Sequence, residues 1–134
     1  MTAGSPDVAP PATDVGSTPY WDSLRRHHLE IQACESCSRR RFPVTPSCPY
    51  CAHPHARWEA PEGTGEVYSF VVVHRTFDPA FEGEVPYVVA TVDLDGGGRF
   101  LARMNETPEI GDRVSAAYVD HDQWTELRFV AMSS

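Results

Sequence analysis

"CESCSRRRFPVTPSCPYC", residues 34–51, gathers all four cysteines of this 134-residue chain into two Cys-x-x-Cys pairs, Cys34 with Cys37 and Cys48 with Cys51, ten residues apart. Taken alone, "CPYC" is a dithiol redox sequence. Such a dithiol needs a long helix starting at its first cysteine, because the helix N-terminus lowers the thiol pKa. Here "AHPHARWEAPEGTG" follows, and Pro54 and Pro61 break any helix that would run on from Cys51. Two tight Cys-x-x-Cys turns at this separation can each present two sulfurs to one ion, as a tetrahedral thiolate zinc site requires. The expectation is a structural zinc held by Cys34, Cys37, Cys48 and Cys51; a redox pair, disulfides and unligated thiols are the competing readings. Four sulfurs complete the tetrahedron, which leaves His53 and His55 outside it and no open position for hydrolytic chemistry.

Disulfides need an oxidising compartment. The opening residues "MTAGSPDVAPPATDVGSTPY" offer neither the basic start nor the apolar run of a signal peptide, so the expectation is a cytoplasmic protein with thiols free for metal. No segment approaches the length of a membrane span. Residues 1–18, mostly Pro, Ala, Ser, Thr, Gly and Asp, cannot bury enough apolar surface to offset ordering and are expected to form a disordered arm.

The net charge is −8, unevenly distributed, and every basic residue is an arginine. Residues 31–57 carry Arg39, Arg40, Arg41 and Arg57 against Glu35, net +3; residues 58–134 carry fourteen acids against five arginines, net −9. An acidic body repels a phosphate backbone, which argues against nucleic acid as a partner. "SRRRF" reads either as an anionic pocket or as a solvated face.

Around the cysteines the chain changes character twice. Residues 18–30, "TPYWDSLRRHHLE", read as a short helix with Thr18 as N-cap and Pro19 in the first position, the helix proper covering 19–30. Trp21 and Leu24 fall on one side of it, either against the chain's own body or as anchors for a partner. A metal-held ribbon is expected over 31–60. From residue 61 the pattern becomes strands: "GEVYSFVVVH" (65–74), "PYVVATVDL" (86–94), "RFLARMN" (99–105), "DRVSAAYV" (112–119) and "WTELRFVA" (124–131). "DGGG" at Asp95 to Gly98 and "DHDQ" at Asp120 to Gln123 mark hairpins. Val88, Ala90, Val92 and Leu94 alternate onto one face, as do Phe100, Ala102 and Met104. Five strands with no crossover helix close most simply as an OB-type Greek-key barrel over 61–134; an SH3-like barrel and a flat sandwich are the alternatives. The fold class is mainly β: a short N-terminal helix, a rubredoxin-like four-cysteine ribbon and a five-stranded barrel.

"YWDSL" (20–24), "CESC", "RFPVTPSC", "CPYC", "GTGEVYSFVVVHR" (63–75), "PYVVATVDLDGG" (86–97), "FLARM" (100–104) and "IGDRV" (110–114) together resemble the zinc-ribbon plus OB-fold acyl-CoA-associated proteins, formerly a domain of unknown function. The resemblance covers about residues 19–131. It departs from the family pattern at Ser38 and Ala52, where glycine usually follows each knuckle. A left-handed residue there costs roughly 1 kcal/mol more without glycine.

The resemblance implies a non-catalytic accessory subunit in a hetero-oligomer with a thiolase-superfamily enzyme, a thiolase or a lipid-transfer-protein-like aldolase, with some family members serving hydratases in steroid side-chain breakdown. Such a subunit stabilises its partner and helps shape a shared acyl-CoA channel. The loop "RTFDPAFEGEVPY" (75–87) is long for a hairpin, and Arg75, Phe77, Phe81 and Tyr87 are the expected channel lining. Trp21 and Leu24 are the expected partner contacts. The six histidines sit in no nucleophile motif, and His74 beside Arg75 reads as a strand end. A module for single-stranded nucleic acid is the second reading, since zinc ribbons and OB barrels both do that work.

Overall fold

The computed structural model describes residues 16–75, 83 and 85–132. The expected disordered arm falls largely on residues 1–15, outside the described residues, while Thr18 already lies in the helix. That helix, α1, is Thr18–Arg25, with Ser17 rather than Thr18 at the N-cap and Pro19 in the first turn. It stops five residues short of the expected end because His27 takes a left-handed conformation at φ 56°. The N–H of His27 then donates to Leu24 O at 2.9 Å and that of His28 to Ser23 O at 3.0 Å, the paired bonds of a Schellman stop. Residues 26–30, expected to continue the helix, instead form its closing turn and the lead into the ribbon.

The ribbon is a three-stranded antiparallel sheet in which β1 (Ile31–Cys34) lies between β2 (Arg40–Arg41) and β3 (Ala56–Glu59). Five further strands follow: β4 (Thr64–Val73), β5 (Tyr87–Leu94), β6 (Arg99–Met104), β7 (Arg113–Asp120) and β8 (Thr125–Ala131). They close in the order β4-β5-β6-β8-β7, with β4 returning to pair β7. Among the described residues the single parallel pairing, β6 with β8, is the Greek-key step. This is the OB arrangement, and the SH3-like and sandwich alternatives are set aside.

Strand alternation fills the barrel as its pattern dictates. Val88, Ala90, Val92 and Leu94 of β5 are buried, and Phe100 and Met104 of β6 face them, with Ala102 half-buried between. Val67, Val114, Leu127 and Phe129 complete the interior. Each fully buried Val, Leu, Phe or Met side chain contributes about 1.5–3 kcal/mol. The core continues without a break into the other two parts. Tyr20 and Leu24 of α1 are buried in it, Ile31 enters from β1, and Phe42, just past β2, stacks on Phe100 with ring centroids 3.8 Å apart. Helix, ribbon and barrel therefore share one core.

Polar contacts fix the ribbon's orientation on the barrel. Arg40 reaches the β5–β6 hairpin and donates to Asp95 O at 3.2 Å and Gly97 O at 3.1 Å, while its Nε donates to Glu59 at 3.0 Å. Gly98, at φ 97°, permits this approach: a Cβ there would stand 3.1 Å from the Cβ of Arg40. Arg41 is buried and donates to Gln32 Oε1 and Thr45 O, both at 3.2 Å. Arg39 lies 4.7 Å over the Tyr50 ring. Two of the three arginines of "SRRRF" thus hold the fold together, an outcome that neither the pocket nor the solvated-face reading anticipated.

Candidate functional site

The knuckles are two copies of one backbone device. In the first, the N–H of Ser38 donates to Cys34 O, and in the second that of Ala52 to Cys48 O, both at 2.9 Å. Ser38 and Ala52 take φ values of 65° and 66°, the left-handed turn that the missing glycines would have adopted without strain. Amide groups inside each turn point at sulfur: Ser36 N and Cys37 N lie 3.4 and 3.5 Å from Cys34 Sγ, and Tyr50 N lies 3.4 Å from Cys48 Sγ. β1 delivers Cys34, and its N–H donates to Arg39 O at 2.9 Å to close the loop.

The four sulfurs converge within 4.8 Å of one another. Cys34 Sγ to Cys51 Sγ is 3.6 Å and Cys37 Sγ to Cys48 Sγ is 3.7 Å. A tetrahedron with zinc–sulfur bonds of about 2.3 Å places its sulfurs about 3.8 Å apart, so these two pairs already stand at the spacing that zinc sets. The electrostatics agree. The N–H of Cys37 leads the groups that lower the Cys34 thiol. Burial works to raise Cys48, but the N–H groups of Tyr50 and Cys51 and two neighbouring thiols outweigh it and hold it at about 6. Cys51 is pulled down by the N–H of His53, yet burial and the three other cysteines win and push it up to about 11. Four thiolates cannot share this volume unaided, and a dication resolves the conflict. The site is structural zinc, with the His53 and His55 rings 5.7 Å apart in a T-shaped arrangement.

The other expected site residues fare differently. Arg75 is exposed just beyond β4, and Tyr87 opens β5 opposite Val73 with the Arg103 guanidinium 4.4 Å over its ring. The structure brings these two to the same end of the β4–β5 ladder. Phe77 and Phe81 lie outside the described residues. Trp21 is half-buried and meets Trp124 edge-on at 6.0 Å. Leu24 is fully buried in the chain's own core, which corrects its expected role as a partner anchor: its side of the helix is covered by the barrel. Sequence reading passed over Phe42, Arg103 and Trp124, which converge only because the ribbon and the β7–β8 hairpin fold against α1.

With this geometry in place, comparison with known proteins gives the family. Residues 21–54 match the model of the ChsH2 rubredoxin-like zinc ribbon domain, and residues 58–119 that of the ChsH2 C-terminal OB-fold domain. The chain belongs to the ChsH2 zinc-ribbon and OB-fold family. Among ChsH2-like relatives, a probable enoyl-CoA hydratase alpha subunit of Thermomonospora curvata is 38% identical over 96 residues, covering 70% of this chain and 29% of the relative. A 3-oxo-4,17-pregnadiene-20-carboxyl-CoA hydratase alpha subunit of Mycobacterium tuberculosis is 31% identical over 138 residues, covering 92% of this chain and 43% of the relative. This chain therefore spans less than half the length of either hydratase subunit. A DUF35 domain-containing scaffold protein of Methanocaldococcus jannaschii is 33% identical, with 73% of each chain covered. Of solved structures, a chain of the Ltp2-ChsH2(DUF35) aldolase superposes with a TM-score of 0.75 at 34% identity, covering 90% of this chain and 97% of that one. Among the described residues no helix is long and apolar enough to cross a membrane.

Proposed function

We propose that this chain is the non-catalytic subunit of an acyl-CoA enzyme complex, docked on a thiolase-superfamily partner of thiolase or lipid-transfer-protein-like aldolase type. It stabilises that partner and helps shape the channel for the CoA thioester, in lipid or steroid side-chain degradation. The observation that carries this reading is the match, over nearly the full length of both chains, to a component of an aldolase complex. The site chemistry agrees. The cysteines are all in the metal cluster, and the paired histidines, His27 with Asp120 and His121 with Glu126, brace strand ends rather than activate a nucleophile. Exposed Arg75 at one rim suits a CoA phosphate, and half-buried Trp21 suits a desolvated contact with the enzyme. A thiolate zinc centre suits the reducing cytoplasm. The single-stranded nucleic-acid reading stands second because the barrel region is net acidic.

The test is affinity purification of the tagged chain from its native host, followed by mass spectrometry and an acyl-CoA retro-aldol or thiolysis assay. A stoichiometric thiolase-superfamily enzyme whose activity or solubility falls without this chain is the expected result. Recovery of a different enzyme class, or of a stable monomer that binds an oligonucleotide, overturns it. For the channel role, Arg75→Ala should raise the partner's KM for acyl-CoA and leave the amount of complex unchanged.

A further inference from the structure

β2 is only two residues long, and strand alternation sends its two arginines opposite ways. Arg40 goes to the β5–β6 hairpin. Arg41 goes to the other face, where Gln32 of β1 and the loop leading to the second knuckle hold it. There it borders a cavity of about 560 Å³ whose apolar walls are Val44, Pro46, Pro54 and Ala56. That volume lies within the range of about 300–1,000 Å³ typical of small-molecule sites.

Arg41 is 5% exposed, and its partners are neutral. Nε donates to the amide oxygen of Gln32 and Nη2 to the backbone oxygen of Thr45, both at 3.2 Å. The remaining nitrogen, Nη1, is buried and has no hydrogen-bond partner. Among the described residues Arg41 forms no ion pair, whereas Arg40 and Arg57 face Glu59, Arg99 faces Asp93 and Arg128 faces Glu126. A guanidinium does not give up its proton inside a protein, so the charge stays, and a buried charge calls for a counter-ion. Because Gln32 and Thr45 already fix the side chain, an arriving anion has little ordering left to offset.

The chemistry of the wall selects the anion. Its other polar groups are spent: Gln32 Oε1 also accepts from Thr45 N at 3.0 Å, Gln32 Nε2 donates to Thr45 O at 3.2 Å, and the Thr45 hydroxyl donates to Ser47 O at 3.0 Å. A phosphate dianion would find one free nitrogen where it needs several donors. A singly charged carboxylate can accept from Nη1 and lay an apolar chain along the prolines.

We infer that the ribbon carries a site for a small carboxylic acid, bound as its anion at Arg41 with its apolar chain against Val44, Pro46, Pro54 and Ala56. Nη1 is shielded from bulk water, so residues 44–46, which belong to no helix or strand, move outward as the carboxylate enters. The site lies on this chain alone, so its failure and that of the proposed complex are separable.

The test is calorimetric titration of the zinc-loaded full chain with hexanoate and with its neutral analogue hexanamide, while nitrogen-15 spectra follow the Arg41 Nε–H signal. Expected is one saturable hexanoate site, about tenfold tighter or more than for hexanamide, with the Arg41 signal moving along the same curve. Arg41→Gln, checked for zinc content and circular dichroism, should bring hexanoate down to the level of hexanamide. His55→Gln, which removes the other basic side chain in the wall, should not. If Arg41→Gln fails to fold, the wild-type Nε–H titration decides by itself. No saturable binding, equal affinity for acid and amide, saturation that leaves the Arg41 signal unmoved, or full hexanoate affinity in a folded Arg41→Gln overturns the assignment. So does inorganic phosphate that competes as well as hexanoate.

Discussion

Replacing Ser38 and Ala52 by glycine should tighten zinc binding. Both residues sit at φ near +65°, each one residue past a knuckle, where a Cβ is crowded by the following carbonyl. The left-handed conformation costs a non-glycine residue roughly 1–2 kcal/mol, and glycine gives back about 0.5–1 kcal/mol through the greater freedom of the unfolded chain. The net gain is therefore about 0.5–1 kcal/mol at each position, or about 1–2 kcal/mol for the double variant. Neither side chain is needed elsewhere: both residues are exposed, and the bonds that define the turn are made by their backbone N–H groups. Because metal binding and ribbon folding are one equilibrium, the gain should appear in the zinc dissociation constant as a decrease of about 5- to 30-fold, measured by competition with a chromogenic chelator. Ser36→Gly, inside the first knuckle but not among the positive-φ positions, is the control and should not tighten binding. An unchanged or weaker affinity in the double variant would refute the claim that backbone strain at these two turns limits the site.

Three further outcomes follow from the contacts. Arg40→Ala removes the clamp on the β5–β6 hairpin and the pair with Glu59, and should lower stability by about 2 kcal/mol in urea unfolding while zinc stays bound. Leu24→Ala should cost about 2–5 kcal/mol by the same measurement, as expected for a core residue with no exposure. Asp95 is held at about 2 by hydrogen bonds from Arg113 and then Thr64. Its folded pKa is depressed, so its contribution is present above the usual carboxylate value of about 3.9 and lost as pH falls from there toward 2. The stability gap between wild type and Asp95→Asn should therefore close between about pH 4 and 2, and should be constant from pH 5 to 7.

The sequence by itself determined the metal ligands, the strand set and the inward face of β5, because these depend on local spacing: two-residue gaps between thiols, and a period of two between apolar residues. The family resemblance also marked the two knuckle turns as positions short of glycine, and the positive φ values of Ser38 and Ala52 bear that out. Only the tertiary structure decided what the helix and the arginines do. A Trp and a Leu three positions apart look alike on a helical projection, yet Leu24 faces the barrel while Trp21 lies at its edge against Trp124, since burial depends on what packs opposite. Arg40 is equally unreadable locally: its partners are the carbonyls of a glycine hairpin more than fifty residues on, and backbone acceptors carry no side-chain signature. The cluster of side chains between α1, the ribbon and the barrel has the same origin. Trp21, Phe42, Leu101 and Trp124 come from four separate segments, and closure of the barrel against helix and ribbon is what brings them together.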